Sequence, residues 1–386
     1  MTREFRFHAP TAIFFGVGQA QKVGDHARRL GMRRVFLVTD SGLTATGMPD
    51  DIRHTLANAG LAVTLYSDVA LDPDADDIRR GAAALRDSGA DGLVALGGGS
   101  AMDSAKAFAV LAADDSDDIL AYAIPNATRA VPPIAPLICL PTTSGTGSEV
   151  TPVAVVTDPV MRIKKSLSDA AIAPRVALVD PTLTLSMPAR LTAATGMDAL
   201  AHAIETMTTV FANPLADALA TSTLDLVGRY LVRAVEDGRD LEARSGMSQA
   251  ALLAGLAFPS GLLHLGHAAG HALGTRYHLP HGLCCTVSLG PALDFIQPAT
   301  EAQLATAGRA LAPACRYLDV VDADAPTLVA ALYERVGLPG LGEAAGVGPA
   351  DLPDLADWIM REERFIVRSP VRPSREDWVR ILAASL

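Results

Sequence analysis

The chain has 386 residues, of which 49% are hydrophobic and 19% are charged, and its formal net charge is −11. This length suggests two domains, and this composition is typical of a folded globular protein and excludes an intrinsically disordered chain. The negative charge argues against a nucleic-acid or anionic-membrane partner, because both need a basic surface.

The expected compartment is the cytoplasm. No uninterrupted apolar run reaches the roughly 18 residues of a membrane span, so we expect no membrane partner. The N-terminal segment MTREFRFHAP is charged and lacks the apolar core of a secretory signal. The four cysteines show no Cys-x-x-Cys spacing, which fits a reduced compartment.

The first half of the chain alternates between two kinds of segment. Short runs rich in Val, Ile and Leu predict strands within 33–40, 61–69, 91–99, 136–143 and 175–180. Two segments between them, 74–89 and 100–113, carry apolar residues at helical spacing. Continuous apolar strands alternating with helices predict an α/β fold with a mostly parallel sheet, covered on both faces.

The pattern changes near residues 186–190. Beyond this point long Ala- and Leu-rich stretches with a 3.6-residue period dominate to the C-terminus. We therefore predict an α/β domain over 1–187 and an all-helical domain over 188–386.

One glycine-rich loop lies in VALGGGSAMDSAK (94–106), between a predicted strand and a predicted helix. Gly97, Gly98 and Gly99 allow a sharp turn and a close backbone approach to a ligand. Ser100 can cap the next helix, whose N-terminus would attract a pyrophosphate. The alternative is a tight turn that binds nothing.

A second polar loop, LPTTSGTGSEVT (140–151), follows another predicted strand. Its hydroxyl groups can bind a sugar or base, and they belong to Thr142, Thr143, Ser144 and Thr146. Two such loops at the carboxyl ends of parallel strands predict a nucleotide site.

Three charged residues are further candidates for contacts with the cofactor. Asp40 ends the first predicted strand, where a carboxylate can bind the adenosine ribose and repel a 2′-phosphate, which favours NAD over NADP. An N-cap for the next turn is the equally weighted alternative for Asp40. Lys164 and Lys165 could reach the diphosphate.

A metal site is predicted from histidine spacing. Asp198 and His202 are four residues apart in a helical pattern, and His267 and His271 repeat this spacing, while His281 lies in a loop-like segment. One Asp with three His suits Fe²⁺ or Zn²⁺. The alternative is a set of polar residues with local partners. Spacing alone leaves the remaining ligand open among His264, His267, His271 and His278.

Together these motifs resemble the iron-containing (group III) alcohol dehydrogenase family. The resemblance runs in order through FFGVG, GGGSAMDSAK, PTTSGTGSEVT, VDPTLTLSMP, ATGMDALAHAIE, AGLAF, GHAAGHALG, LPHG and SPVRPSREDW. It implies a nucleotide-binding domain followed by a helical domain, as in dehydroquinate synthase-like architectures, with the active site in the cleft between them. It also implies metal ligands at Asp198, His202, His267 and His281.

The resemblance further assigns the cofactor residues. Gly97, Gly98, Gly99 and Ser100 match the pyrophosphate loop, and Asp103 matches a position near the nicotinamide. The remaining matches are Asp40 for NAD preference, Thr142, Thr143, Ser144 and Thr146 near adenine and ribose, Lys164 (with Lys165 possible) on the cofactor side, and Leu183.

The implied reaction is hydride transfer between nicotinamide and a small alcohol or aldehyde, with Fe²⁺ preferred and Zn²⁺ as the alternative. His271 would relay the proton, and Asp103 is the second catalytic candidate. Pro259, His264 and His278 depart from the family pattern, and the two histidines suggest a polar or anionic substrate. The family also suggests a homodimer or larger homo-oligomer.

Two other activities on the same scaffold are weighed against this one. A maleylacetate reductase-like enzyme is disfavoured by the complete Asp-His-His-His set. A polyol phosphate dehydrogenase needs a strongly basic pocket, and near the metal motifs the sequence offers few basic residues, chiefly Arg276.

Overall fold

The strands lie in the first half of the chain, within the residues that the computed structural model describes, 4–114, 116–320 and 323–386. They are β1 (Ala12–Phe15), β2 (Arg34–Asp40), β3 (Ala62–Val69), β4 (Gly92–Gly97), β5 (Leu137–Pro141), β6 (Val153–Asp158), β7 (Ile163–Ser168) and β8 (Val176–Val179). Six of them form one sheet in the order β1-β8-β5-β4-β2-β3, with every pair parallel. The predicted parallel sheet is therefore confirmed.

The helices of this half are α1 (Val23–Arg29), α2 (Ser41–Thr44), α3 (Met48–Asn58), α4 (Ala75–Ser88) and α5 (Gly99–Ala112). Two of them, α4 and α5, match the segments predicted at 74–89 and 100–113, and the three others were not predicted. Helix α4 begins after a capping box, in which Asp74 and Asp77 each accept the other's backbone N–H. All residues of β4 and β5 are buried, because the central strands of the sheet are covered on both faces.

The second half of the described chain is helical, as predicted. Its helices are α6 (Ala189–Thr208), α7 (Pro214–Glu236), α8 (Leu241–Gly261), α9 (Leu265–Tyr277), α10 (His281–Thr286), α11 (Leu289–Leu311), α12 (Ala325–Arg335), α13 (Leu341–Ala345), α14 (Leu352–Ile359), α15 (Glu363–Ile366) and α16 (Arg375–Ala383). Helix α6 is buried over most of its length and supplies many alanines to the core. A helix buried on all sides is expected to be apolar around its whole circumference, so the polar residues within α6 need a specific reason.

The chain divides into two compact units. One comprises Ala9–Thr143 and Gly147–Ser186 and holds the sheet. The other consists mainly of Met187–Leu386 and also takes Ser144–Thr146 from the second polar loop. The hydroxyl residues of that loop are therefore shared between the units.

Within the described residues, no single helix has the length and apolar composition needed to cross a membrane. Helices α8 and α9 pass the same test only when taken together, and they are bent by 106° at their junction. Both helices contribute buried residues to the helical core. None of the four cysteines, all of which lie among the described residues, forms a disulfide.

Candidate functional site

Two glycine-rich loops leave the sheet at the same level on neighbouring strands. Gly97, the last residue of β4, pairs with Pro141, the last residue of β5. The Thr142 N–H donates to the Gly97 carbonyl at 3.0 Å. A Cβ on Gly98 would lie 3.3 Å from the Thr143 side chain, so the loops touch. These residues meet at the carboxyl edge, where open parallel sheets bind nucleotides.

The helix that follows the first loop is not capped as predicted. Helix α5 begins at Gly99 with Gly98 as its N-cap, and no side chain caps it. Ser100 lies inside the first turn, and its hydroxyl donates to the Leu71 carbonyl instead. The N-terminal N–H groups of α5 are therefore left for a ligand or water, since no cap accepts them.

Asp40 takes the alternative role and stays near the loop. Its Oδ1 accepts the Leu43 N–H at 3.0 Å and so caps α2. Its Oδ2 lies 3.6 Å from the position of a Cβ on Gly97. The carboxylate thus adjoins the glycine loop, while one of its oxygens serves the backbone.

Asp103 holds the polypeptide in place, which does not support the predicted catalytic role. Its Oδ1 accepts the Ser148 hydroxyl at 2.6 Å, and its Oδ2 accepts the Val155 N–H at 3.0 Å. The Lys106 ammonium lies 3.6 Å from Oδ1. Both carboxylate oxygens are therefore committed to fixing the segment after the second loop.

Lys106 is the other anchor of this segment. Its side chain is fully buried, and its Nζ donates to the Ser148 carbonyl at 2.8 Å, the Ser148 hydroxyl at 2.7 Å and the Val153 carbonyl at 2.7 Å. Burial lowers the pKa of Lys106, against the opposing effect of Asp103. An ammonium this deeply buried is tolerable only because acceptors surround it.

Replacing Lys106 by methionine is expected to lower the free energy of unfolding by about 3 kcal/mol, because several buried acceptors would lose their donor. Urea unfolding at pH 7 measures this loss. Lys22→Met, at an exposed lysine, is the matched control and should change stability by less than about 0.5 kcal/mol. Equal stability of Lys106→Met and the wild type would contradict the anchoring role.

The remaining predicted cofactor residues of this unit are less favourably placed. Lys164 lies on β7, which with β6 forms an antiparallel hairpin that the sequence analysis did not predict. Its Nζ forms an ion pair with Asp72 Oδ1 at 2.7 Å. This pairing already neutralises the charge that was expected to reach the diphosphate. Leu183 is buried just after β8.

Ser144 and Thr146, with Gly145 between them, are assigned to the helical unit. The Ser144 and Ser248 hydroxyls lie 3.2 Å apart. A Cβ on Gly145 would lie 2.7 Å from the Thr195 carbonyl, so only glycine permits this close approach. Thr142 and Thr143 are instead assigned to the unit that holds the sheet.

One buried face of α6 carries three polar residues. Asp198, His202 and Glu205 are spaced at i, i+4 and i+7 and are 1%, 4% and 0% exposed. Burial lowers the pKa of His202 to about 4, against the charge of Asp198. The imidazole is therefore neutral at pH 7, which is the form that binds metals.

The four predicted metal ligands converge. Asp198 Oδ1 lies 4.0 Å from His202 Nε2, 4.0 Å from His267 Nε2 and 3.8 Å from His281 Nε2. Two ligands of one ion, each about 2.1 Å from it, lie at most about 4.2 Å apart. The three separations from Asp198 lie within this limit, although the group of ligand atoms within 4.8 Å of one another contains Cys285 and not His202.

Two of these ligand atoms lack other partners. Among the described residues, Asp198 Oδ1 and His267 Nε2 are buried and form no hydrogen bond. A buried polar atom without a partner is costly, and most such atoms in folded proteins have one. A divalent cation bound between them removes that cost, so the donor set fits a metal ion.

Glu205 is a site residue that the sequence analysis missed. Its carboxylate accepts the Gly266 N–H at 2.6 Å and is in hydrogen-bond contact with His267 Nδ1. Burial opposes its ionisation, but His267 and His264 outweigh this effect and lower its pKa to about 2. Because an ionised carboxylate only accepts, His267 Nδ1 carries the proton and Nε2 keeps its lone pair for a metal. The i+7 spacing from Asp198 was the available signal.

Cys285 is a second residue missed from the sequence. It is fully buried, one turn after His281 on α10, and its Sγ lies 3.5 Å from His281 Nε2. One ligand atom each from Asp198, His267, His281 and Cys285 lies within 4.8 Å of the others. A Cβ on Gly270 would lie 2.3 Å from Sγ, so this glycine makes room for the thiol.

His271 is held by an arginine from far along the chain. Arg364 Nη2 lies 2.8 Å from His271 Nδ1. A guanidinium can only donate, so Nδ1 accepts and the proton of the neutral ring is on Nε2. His271 Nδ1 is thus engaged by Arg364, and its role as a proton relay stays a prediction.

The two unexplained histidines differ in their positions. His264 is buried, with its Nε2 2.9 Å from the Thr208 hydroxyl and its Nδ1 3.7 Å from Glu205 Oε1. Burial lowers its pKa, against the charge of Glu205. His278 is exposed at the C-cap of α9 in the left-handed conformation. The contacts of His264 are with Thr208 and Glu205, and His278 ends a helix. These positions do not support the suggested role of the two histidines in substrate choice.

The sequence matches the models of two family regions. Residues 10–181 match the one described as iron-containing alcohol dehydrogenase, and residues 192–386 match the C-terminal region of the Fe-containing alcohol dehydrogenase family. The two matches together cover most of the chain.

Individual relatives act on different alcohols, according to their names. Choline dehydrogenase of Bacillus subtilis (strain 168) is 39% identical over 76% of this chain and 73% of its own length. NAD-dependent methanol dehydrogenase of Bacillus methanolicus is 38% identical over 73% of this chain and 74% of its own. The crystal structure of a 1,3-propanediol oxidoreductase superimposes with a TM-score of 0.90, 31% identity and full coverage of both chains. The chain is therefore an oxidoreductase that belongs to the iron-containing alcohol dehydrogenase family.

Proposed function

We propose that this enzyme is a metal-dependent, NAD-dependent dehydrogenase of a short alcohol. In the oxidative direction it converts R–CH₂OH and NAD⁺ to R–CHO, NADH and H⁺, and the reverse reaction reduces the aldehyde. The observation that carries the proposal is the approach of three imidazole Nε2 atoms to Asp198 Oδ1. Two of these four atoms are buried and have no hydrogen-bond partner among the described residues.

The metal would be held by Asp198, His202, His267 and His281. When bound, a divalent cation supplies Lewis-acid polarisation of the substrate oxygen, which acidifies an alcohol and activates a carbonyl. Glu205 orients His267 for this task, and His271, whose Nδ1 faces Arg364, would present its Nε2–H as a hydrogen-bond donor. We propose Fe²⁺ as the resident metal on the basis of the family. Cys285 beside these donors also suits Zn²⁺.

The cofactor proposal rests on the sheet edge and on a relative. The glycine loop after β4 and the threonines after β5 lie next to the N-terminus of α5. The N–H groups of this helix end can bind the diphosphate of a nucleotide. Asp40 beside Gly97 would disfavour a 2′-phosphate, which favours NAD over NADP. The methanol dehydrogenase relative is named as NAD-dependent.

Metal analysis and a spectrophotometric assay test the proposal together. The purified protein is stripped with a chelator and reloaded with Fe²⁺ or Zn²⁺, and metal content is measured by mass spectrometry. Absorbance at 340 nm is then followed with NADH or NADPH and a panel of short aldehydes. We expect about one metal per chain, no turnover without metal, and faster turnover with NADH.

Two outcomes would reject the proposal. Turnover that is unchanged after complete metal removal would exclude a role for the cation. Absence of turnover with every alcohol and aldehyde in the loaded protein would favour a nucleotide-binding or metal-storage role.

A further inference from the structure

Two arginines near the C-terminus flank the candidate metal centre. Arg364 lies on α15 and Arg368 lies one turn later, and their guanidinium carbons are 4.7 and 5.3 Å from the centre of the Phe365 ring. That ring is 4.7 Å from the His271 ring and 6.2 Å from the His267 ring. Two positive charges therefore lie one aromatic ring away from a predicted metal ligand.

The charge of Arg364 is already matched. Its Nε lies 3.3 Å from Glu362 Oε2, and its Nη2 donates to His271. The Arg364 side chain is 17% exposed and that of Glu362 is 7% exposed, so this pair is largely withdrawn from water. Arg364 is therefore fixed in place beside the histidine.

The charge of Arg368 is not matched in the same way. Among the described residues no carboxylate forms an ion pair with it, whereas its backbone carbonyl is held by the Val210 N–H at 2.9 Å and the Thr209 hydroxyl at 3.1 Å. Burial and the adjacent charge of Arg364 lower the pKa of Arg368 to about 10, against the opposing charge of Glu205. Arg368 remains cationic at pH 7 and half-buried, and Glu205 offsets its charge without forming an ion pair with it.

We infer that the physiological substrate is a short aldehyde or alcohol with an anionic group at its other end, and that Arg368, supported by Arg364, binds this group. The inference rests on the proposed function and names its substrate class. A carboxylate, a sulfonate and a phosphate each present at least two oxygens on one atom. A guanidinium binds such a pair of oxygens through two N–H donors.

The position of the arginines also limits the charge of the substrate. Arg364 contacts His271, whose ring lies 5.6 Å from that of the predicted ligand His281. A trimethylammonium group, as in choline, would be repelled by Arg368, whose charge has no ion-pair partner among the described residues, so the inferred substrate class differs from that named for one relative.

The test compares matched aldehydes with the metal-loaded enzyme and NADH. Succinic semialdehyde and butanal have the same four carbons and differ in one carboxylate, while sulfoacetaldehyde and glycolaldehyde phosphate vary the anion. We expect kcat/KM for the preferred anionic aldehyde to exceed that for butanal by about 10- to 100-fold. Arg368→Gln should remove most of this preference through KM, and Arg368→Lys should restore part of it.

Arg361→Gln is the matched control. Arg361 is exposed, and its guanidinium carbon lies 4.2 Å from the centre of the Trp358 ring. Its substitution removes the same charge from the same stretch of chain. We expect Arg361→Gln to leave kcat/KM unchanged for both the anionic aldehyde and butanal. Calorimetric titration with succinate gives a readout that is independent of turnover, and binding should weaken about tenfold or more in Arg368→Gln only.

The outcomes separate the two proposals. Turnover of butanal at a rate equal to every anionic aldehyde, or an equal loss with both substrates in Arg368→Gln, would overturn the inference and leave the dehydrogenase proposal standing. Faster turnover of betaine aldehyde would also overturn it. Absence of turnover with all aldehydes would instead reject the proposed function.

Discussion

Replacing Asp198 by alanine is expected to abolish metal binding and to lower turnover by at least about a thousandfold. The Nε2 atoms of three histidines lie 3.8–4.0 Å from the buried Asp198 Oδ1. Asp198 is also the only anionic residue among the four predicted ligands. Lewis-acid polarisation contributes several kcal/mol to catalysis, and each 1.4 kcal/mol corresponds to about a tenfold change in rate. Metal content per chain and the NADH-coupled rate measure the two effects.

Two comparisons make this result specific. NADH binding, followed by fluorescence, should persist in Asp198→Ala, because the glycine loop belongs to the other compact unit. Asp225→Ala, which removes an exposed ion pair with Arg229, should retain metal and activity. A chelator should lower the melting temperature of the wild type but not that of Asp198→Ala. A metal-free Asp198→Ala enzyme with full activity would contradict the proposed mechanism.

Replacing Glu205 by glutamine is expected to weaken metal binding by about 10- to 100-fold without removing any ligand. The glutamine side chain has one acceptor and one donor end, whereas Glu205 accepts from both Gly266 N–H and His267 Nδ1–H. One of these donors would lose its partner, and the His267 ring would lose its fixed orientation. Competition for Zn²⁺ with a chromophoric chelator measures the affinity.

The same substitution has a defined pH dependence in the metal-free protein. The pKa of Glu205 is lowered from 4.5 to about 2 by folding, so its contribution to stability is fully present above about pH 4.5 and is lost as the pH falls toward 2. The stability difference between wild type and Glu205→Gln should therefore shrink over this range. Urea unfolding at pH 7 and pH 3.5 measures it.

Glu301→Gln is the control for this series, because Glu301 is exposed on α11. Its effect on unfolding should be small at both pH values. A stability difference for Glu205→Gln that stays constant between pH 7 and pH 3.5 would show that the carboxylate is not preferentially ionised in the folded protein.

Many strands and helices of the fold can be predicted from short sequence patterns. The continuous apolar runs that become β4 and β5 are recognisable because both faces of a central parallel strand must be apolar. Helix α4 is recognisable from its apolar period, and its start from the Asp74 and Asp77 capping box. The β6–β7 hairpin escaped prediction because β7, IKKSLS, is short and largely polar.

The candidate metal ligands were suggested by a similar local pattern. A helix places residues four apart on one face, so the Asp198–His202 spacing alone indicates a shared surface. Their convergence with His267 and His281 needed either the resemblance to a family or the structure. The glycine-loop motif likewise predicted a loop at the carboxyl edge of the sheet. It did not predict the contacts of Ser100 with Leu71 or of Asp103 with Ser148.

The sequence by itself determined the classes of secondary structure, the helical spacing of the ligands and the family. Only the tertiary structure decided which charges surround those ligands. Glu205 meets His267 across 62 residues of chain, and Arg364 meets His271 across 93. Local periodicity carries no information about such pairs, because they form only when separate helices pack together. Those contacts set the tautomers of His267 and His271. They also bring Arg364 close to histidine motifs that have few arginines near them in the sequence.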